Sequence, residues 1–294
     1  MRYELEHHDV PTNGITLHVV QCGPLDGPLI ILLHGFPEFW YSWRRQIPAL
    51  AEAGYRVWAP DQRGYNLSDK PAQVAAYKMP ALAADIIGLI DAAGHERAFL
   101  VGHDWGALVA WNLAAYFPSR VARVAILNVP HPRVMTQELR HSIRQLSKSW
   151  YIFFFQLSWL PEKAFSFNNY QLGEQTLRGT SRRGAFSTED LKLYRAAWAQ
   201  PGAITSMLNW YRAAARYMRQ LNPPGRVRVP VHIVWGKRDA FLNPNMAQES
   251  LAWCEAGRLT YFERSTHWVQ HEDAEAVNEL LLRFFGHPHE NGGQ

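Results

Sequence analysis

The sequence predicts an α/β fold: a mostly parallel sheet with helices on both faces, interrupted by a helical insertion. Three observations carry this expectation. Short runs of consecutive apolar residues alternate with helical patterns in both halves of the chain. That alternation stops between residues 132 and 224, where no strand pattern occurs, and then resumes. Finally, one reactive residue stands between two glycines where a strand pattern turns into a helical one.

In chain order, Thr12-Asn13-Gly14 is a turn signal, and Ile15–Gln21 after it reads as a strand of an antiparallel start. Leu29–Leu33, Arg56–Ala59, Ala98–Val101, Val121–Leu127 and Val231–Trp235 are apolar without alternation. A parallel sheet covered on both faces demands that pattern of its strands. Leu259–Phe262 follows as a last strand. Ala81–Ala93 has apolar residues at three-and-four spacing and ends at Gly94, and Ala107–Phe117 stops before Pro118, so both read as helices. The insertion is rich in aromatics: Trp150, Tyr151, Phe153, Phe154, Phe155, Trp159, Phe165, Phe167, Trp198, Trp210 and Tyr211. Such a composition suits a cap over an apolar pocket. The expected division is a core at 1–131 and 225–294 with a helical lid at 132–224. The tail from His287 to Gln294 reads as disordered, with solvated histidines.

Composition narrows the function. The 294 residues are 47% hydrophobic and include 12 Trp, 14 Phe and 12 Tyr, enough for a large core and an apolar cavity. The net charge of +4 comes from 30 basic and 26 acidic side chains that are scattered, with short clusters only at Arg182–Arg183 and Arg226–Arg228. No basic stripe suits nucleic acid. Cys22 and Cys254 are far apart and lack C-x-x-C spacing, which argues against a disulfide framework or a thiolate metal site. The first residues carry Glu4, Glu6 and Asp9 where a signal peptide needs an apolar run. The most apolar stretch, residues 150–160, falls well short of the ~20 residues that span a bilayer. A cytoplasmic protein without a membrane span is expected, of open oligomeric state.

The chemistry centres on G-H-D-W-G at residues 102–106, which has the nucleophile-elbow pattern with Asp104 in the place usually held by serine. The plainer reading is that Asp104 caps the following helix. An elbow enzyme needs an acid and then a histidine further along the chain. Asp239 in W-G-K-R-D-A-F and His267 in S-T-H-W-V follow the strands ending at Trp235 and Phe262, at carboxyl ends where open sheets put their sites. His34-Gly35-Phe36-Pro37, just after the first buried strand, offers the Phe36 amide to an oxyanion; the Trp105 amide, next to the nucleophile, is the second donor. D-Q-R-G-Y-N-L-S-D at residues 61–69 reads as a structural loop that orders the next helix.

H-G-F-P-E, D-Q-R-G-Y-N-L-S-D-K-P, G-H-D-W-G-A and L-N-W-Y-R together resemble the epoxide hydrolases of the α/β-hydrolase fold, from about residue 28 to 285. The resemblance implies that fold with its inserted lid, and two lid tyrosines as acids, matched here by Tyr151 and Tyr211. After Phe155 the sequence Q-L-S-W-L-P-E departs from the family's Gln-x-Pro-Gly, which leaves Tyr170, Tyr194 and Tyr217 as alternatives to Tyr151. A carboxylate is a poor nucleophile toward a carbonyl but displaces at saturated carbon, so the substrate is an epoxide or an alkyl halide. The expected partners are a small apolar epoxide and water, bound among Phe36, Pro37, Trp105, Phe155 and Trp268, without metal or organic cofactor. The alternative is a haloalkane or haloacetate dehalogenase, with Trp105 and one of Trp150, Trp159, Trp198 or Trp210 holding the halide. A non-catalytic binding protein would have a damaged triad, whereas Asp104, Asp239 and His267 are all present.

Overall fold

The computed structural model describes residues 3–223 and 225–286; the tail expected to be disordered, 287–294, lies outside the described residues. Strands β1 (Glu6–Thr12) and β2 (Ile15–Cys22) form a hairpin whose turn residues, Asn13 and Gly14, both have positive φ, 44° and 75°. β1 has no apolar alternation, since its first four residues are exposed; pairing across the hairpin makes it a strand, which is why its sequence did not announce it. The remaining strands are β3 (Leu29–Leu33), β4 (Arg56–Pro60), β5 (Ala98–His103), β6 (Val121–Leu127), β7 (Val231–Gly236) and β8 (Gly257–Phe262). They complete an eight-stranded sheet in the order β1-β2-β4-β3-β5-β6-β7-β8. The first two pairings are antiparallel and all those from β4 to β8 are parallel.

Helices α1 (Gln46–Glu52), α2 (Met79–Ala92) and α3 (Trp105–Tyr116) belong to the first half of the sheet. Between β6 and β7 run α4 (Pro132–His141), α5 (Ile143–Lys148), α6 (Trp150–Phe154), α7 (Leu160–Thr180), α8 (Thr188–Trp198) and α9 (Ala203–Arg216), with no strand among the described residues. Then come α10 (Asn245–Ser250), α11 (Val269–Glu272) and α12 (Ala274–Phe285). α7 is two helices joined at Phe167–Tyr170, where Asn168, Asn169 and Tyr170 all have positive φ.

The pleat of β3 divides the core. Leu29, Ile31 and Leu33 pack with α2 and α3 on one face, while Ile30 and Leu32 pack with α1 and α12 on the other. Parallel register pairs Leu33 with Gly102, Leu127 with His103 and Val234, and Gly236 with Phe262. The loops after β3, β5, β6, β7 and β8 therefore leave the same sheet edge, side by side.

The 61–69 loop ties this edge to α2. Buried Asp61 accepts from the Trp40 amide (2.9 Å), from Asn66 Nδ2 (2.7 Å) and from His18 Nδ1 (2.7 Å). The Arg63 guanidinium donates through two nitrogens to Asp85 of α2, at 2.8 and 2.6 Å, and Trp210 Nε1 of α9 donates to the Arg63 carbonyl at 2.9 Å.

The turn from β5 into α3 is a close main-chain approach. A Cβ at Gly106 would lie 2.1 Å from the Leu33 carbonyl oxygen, so α3 rests on β3 through a glycine. Gly106→Ala is expected to destabilise the protein by roughly 3 kcal/mol or more, because main chain, not a side-chain tip, must give way. Urea denaturation measures this; a loss under about 1 kcal/mol would mean that α3 can slide on the sheet.

Candidate active site

Asp104 sits at the sharp end of β5 with φ 49° and ψ −122°, a conformation costing an L residue roughly 1–3 kcal/mol. Its side chain makes no cap bond to α3, so the helix-cap reading does not describe it. Instead Oδ1 accepts the Phe36 N–H at 2.7 Å. Gly35 permits this approach, since a Cβ there would lie 2.3 Å from the Asp104 side chain. Trp105, the first residue of α3, has an N–H with no intrahelical acceptor.

The other oxygen, Oδ2, is 3.7 Å from His267 Nε2. On the far side of the ring, His267 Nδ1 donates to Asp239 Oδ2 at 2.7 Å. Asp239 is buried and held from three more directions: Asn128 Nδ2 donates at 2.8 Å, the Phe241 amide at 2.7 Å and the Leu242 amide at 3.0 Å. Burial opposes charge on both partners, but mutual attraction wins. Asp239 is held below the ordinary carboxylate range, and His267 is raised to about 10 by Asp239, with a further contribution from Asp104.

Asp104 and His267 open into a cavity of about 280 Å³. Tyr151 of α6 and Tyr211 of α9 line it, their rings 6.0 Å apart. Burial, then the Asp104 charge, pushes both hydroxyls up, Tyr211 far above the usual phenol value, so both stay protonated at neutral pH. Phe36, Pro37, Phe155 and Trp268 also line the cavity. Trp105 is a correction: its indole is not among the lining side chains but packs edge-on against Tyr211 (4.9 Å) and Trp210 (5.7 Å). The alternative tyrosines are elsewhere. Tyr194 donates to Glu38 at 2.9 Å, Tyr217 stacks under Lys78 Nζ at 4.1 Å, and Tyr170 packs on Trp198 at 6.2 Å. Of the inserted aromatics, Phe153, Trp159 and Phe167 are exposed rather than turned into the cavity.

The alpha/beta hydrolase fold family matches residues 28–274. Epoxide hydrolase 4 of Homo sapiens is 36% identical over 94% of this chain and 77% of its own length. The chain belongs to the epoxide hydrolases of the α/β-hydrolase fold. A Bacillus subtilis relative, the AB hydrolase superfamily protein YfhM, is 46% identical over 94% of this chain and 96% of its own. In the same family, the crystal structure of Bacillus megaterium epoxide hydrolase with an inhibitor superposes with a TM-score of 0.87 at 28% identity, covering 95% of this chain and 99% of that one.

Several residues of this epoxide hydrolase family member matter to the site yet carried no readable signal. Asn128, just after β6, has φ 52°; its Oδ1 accepts from the Gly236 amide at 2.9 Å while its Nδ2 holds Asp239. Arg212, next to Tyr211, donates to the Phe155 carbonyl (3.1 Å), the Leu157 carbonyl (2.7 Å) and Glu162 (2.7 Å), which clamps the segment bearing Tyr151 against the helix bearing Tyr211. Buried Glu38 meets His271 Nε2 at 2.6 Å, the Tyr194 hydroxyl at 2.9 Å and His103 Nδ1 at 3.0 Å, and His103 Nε2 lies 2.9 Å from the His267 carbonyl. The L-N-W-Y-R and H-G-F-P-E strings contain Arg212 and Glu38, but only the folded chain shows what they hold. Among the described residues no group of three or more His, Cys, Asp or Glu could hold a metal ion.

Because Asp104 contributes to the raised His267 pKa, Asp104→Ala is expected to lower it while Asp239 keeps it above 6.5. NMR titration of the His267 ring in both proteins measures this; an unchanged value would assign the whole shift to Asp239.

Proposed function

We propose that this enzyme hydrolyses apolar epoxides to vicinal diols through an ester on Asp104, with α4–α9 as the lid over the reacting groups. The observation that carries this reading is a carboxylate oxygen and two protonated tyrosines opening into one apolar cavity beside a histidine. The family's named epoxide hydrolases support the same substrate class. Two free, buried cysteines suit the reducing cytoplasm.

In the first half, Asp104 Oδ2 attacks a ring carbon, the C–O bond breaks, and the alkoxide takes a proton from Tyr151 or Tyr211. Esterification removes the Asp104 charge that helped to keep His267 protonated. The imidazolium then returns a proton to the phenolate and becomes a base, held by Asp239. In the second half, His267 takes a proton from water, and the hydroxide adds to Cγ of Asp104. The oxyanion forms on Oδ1, which already receives the Phe36 amide; with the Trp105 amide, each donor is worth about 3–4 kcal/mol. Collapse releases the diol oxygen, which takes the proton from His267. The new carboxylic acid of Asp104 reprotonates His267 and closes the cycle, so epoxide plus water gives diol.

The dehalogenase reading needs N–H donors around the leaving halide. Trp198 Nε1 donates to the Pro37 carbonyl (2.6 Å) and Trp210 Nε1 to the Arg63 carbonyl (2.9 Å), Trp159 is exposed, and the Trp105 ring does not line the cavity. Trp150 alone remains at the cavity, and one donor makes a poor halide site. Two tyrosines favour the epoxide.

Asp104→Ala is expected to abolish diol formation from a panel of small epoxides, and Tyr151→Phe or Tyr211→Phe to lower kcat by roughly 10²–10⁴. His267→Gln should leave the first half intact, so mass spectrometry should find the substrate's mass added to the Asp104 peptide. Halide release from haloalkanes without diol formation would overturn the reading, and an active enzyme that never forms the adduct would exclude the ester.

A further inference from the structure

Ile143 and Leu146 of α5, Trp150 and Phe153 of α6, and Leu157 and Leu160 beyond them recur at alternating spacings of three and four, the sequence repeat of a helical face, although the chain breaks between these helices. On a surface helix such a stripe turns toward the core. Here it turns outward. Ile143 is 86% exposed, Trp150 64% and Phe153 61%, while the polar residues between them, Gln145 and Ser149, are 0% and 1% exposed. Gln145 is fixed inward by three bonds, donating to the Phe241 carbonyl (2.8 Å) and Ser149 Oγ (3.1 Å) and accepting from the Asn243 amide (3.0 Å). The inversion is therefore built into α5 and α6. Trp159 and Phe167 extend the exposed apolar surface into α7.

Two further features say what covers it. Trp150 and Leu172 are exposed and also line the cavity, so the apolar surface runs into the mouth of the site. The charges beside it differ in what they are tied to. Arg140, Arg144, Lys148 and Lys163 lie among residues 138–174 with Glu138, Glu162 and Glu174, but Glu162 is paired with Arg212 at 2.7 Å, Glu174 with Arg195 at 2.5 Å, and Glu138 accepts from Asn243 Nδ2 at 3.4 Å. Arg140, Arg144 and Lys163 are exposed, the last over the Trp159 ring at 5.0 Å. A two-fold contact with a second copy would set these cations against themselves, since Glu138, Glu162 and Glu174 are already engaged within the chain.

We propose that this face docks the protein on an anionic lipid surface, with Trp150, Phe153 and Trp159 in the headgroup region and Arg140, Arg144 and Lys163 against acidic headgroups. Tryptophan at the interface and arginine or lysine at anionic lipid are the usual partition of such surfaces. The proposal stands apart from the chemistry above and would hold for any ligand of the cavity. It sets the cavity mouth against the phase in which apolar molecules accumulate.

The test is co-sedimentation of the full chain with vesicles of mixed phosphatidylglycerol and phosphatidylcholine, and with pure phosphatidylcholine, while light scattering reports oligomeric state. The expected result is binding to the anionic vesicles that falls with salt. The Arg140→Glu/Arg144→Glu double variant should lose at least about 25-fold, roughly fivefold per cation. Phe153→Ser/Trp159→Ser should also release the protein. None of these four residues lines the cavity, and cooperative thermal unfolding checks that the variants fold. Absence of vesicle binding overturns the proposal, as does binding that neither variant weakens. A dimer that Phe153→Ser/Trp159→Ser converts to monomer, without vesicle binding, would assign the face to a second copy instead.

Discussion

The contact between the β5–α3 turn and the loop after β3 is the constraint on which the site depends. Gly106 lets α3 rest on the Leu33 carbonyl, Gly35 lets the next loop reach Asp104, and the Phe36 amide then binds one carboxylate oxygen. With Oδ1 engaged, Oδ2 is the oxygen left toward His267. A positive φ at Asp104 is the strain this arrangement stores, and α3 on one side and β3 on the other hold it in place. Main-chain approach, more than any side chain, determines which carboxylate oxygen is available.

Around this contact the buried charges are arranged so that none stands alone. Asp239 has four donors, and Glu38 is met by His271, Tyr194 and His103. Buried carboxylates without such partners would cost several kcal/mol each. The Glu38 group also links α8, through Tyr194, to the main chain of His267, through His103. The inserted helices and the segment bearing His267 are thereby joined by polar contacts, and the Arg212 clamp brings the two cavity tyrosines together.

The inserted helices serve two surfaces with one aromatic-rich stretch. Between residues 150 and 167, Tyr151, Phe154, Phe155 and Phe165 line the cavity, while Phe153, Trp159 and Phe167 are exposed. The direction of each ring follows from which polar neighbours are pinned inward, with Gln145 and Ser149 occupying the buried side of α5 and α6. An aromatic count cannot distinguish these roles, because the rings are alike and only their helical phase differs.

The sequence by itself determined the alternation of strands and helices, the helical insertion, and the order Asp104, Asp239, His267. Apolar runs of strand length, glycines at a tight turn and chain order are local signals that survive in one dimension. β3 and β6 were legible to the residue for that reason. β1 was not, because its strand state comes from its hairpin partner. Only the tertiary structure decided that Asn128 holds Asp239, that Arg212 joins the tyrosine-bearing segments, that the Trp105 ring stays out of the cavity, and that the insertion's apolar stripe points outward. Each of these depends on contacts between residues far apart in the chain, and such contacts exist only once the sheet edge has brought the loops together.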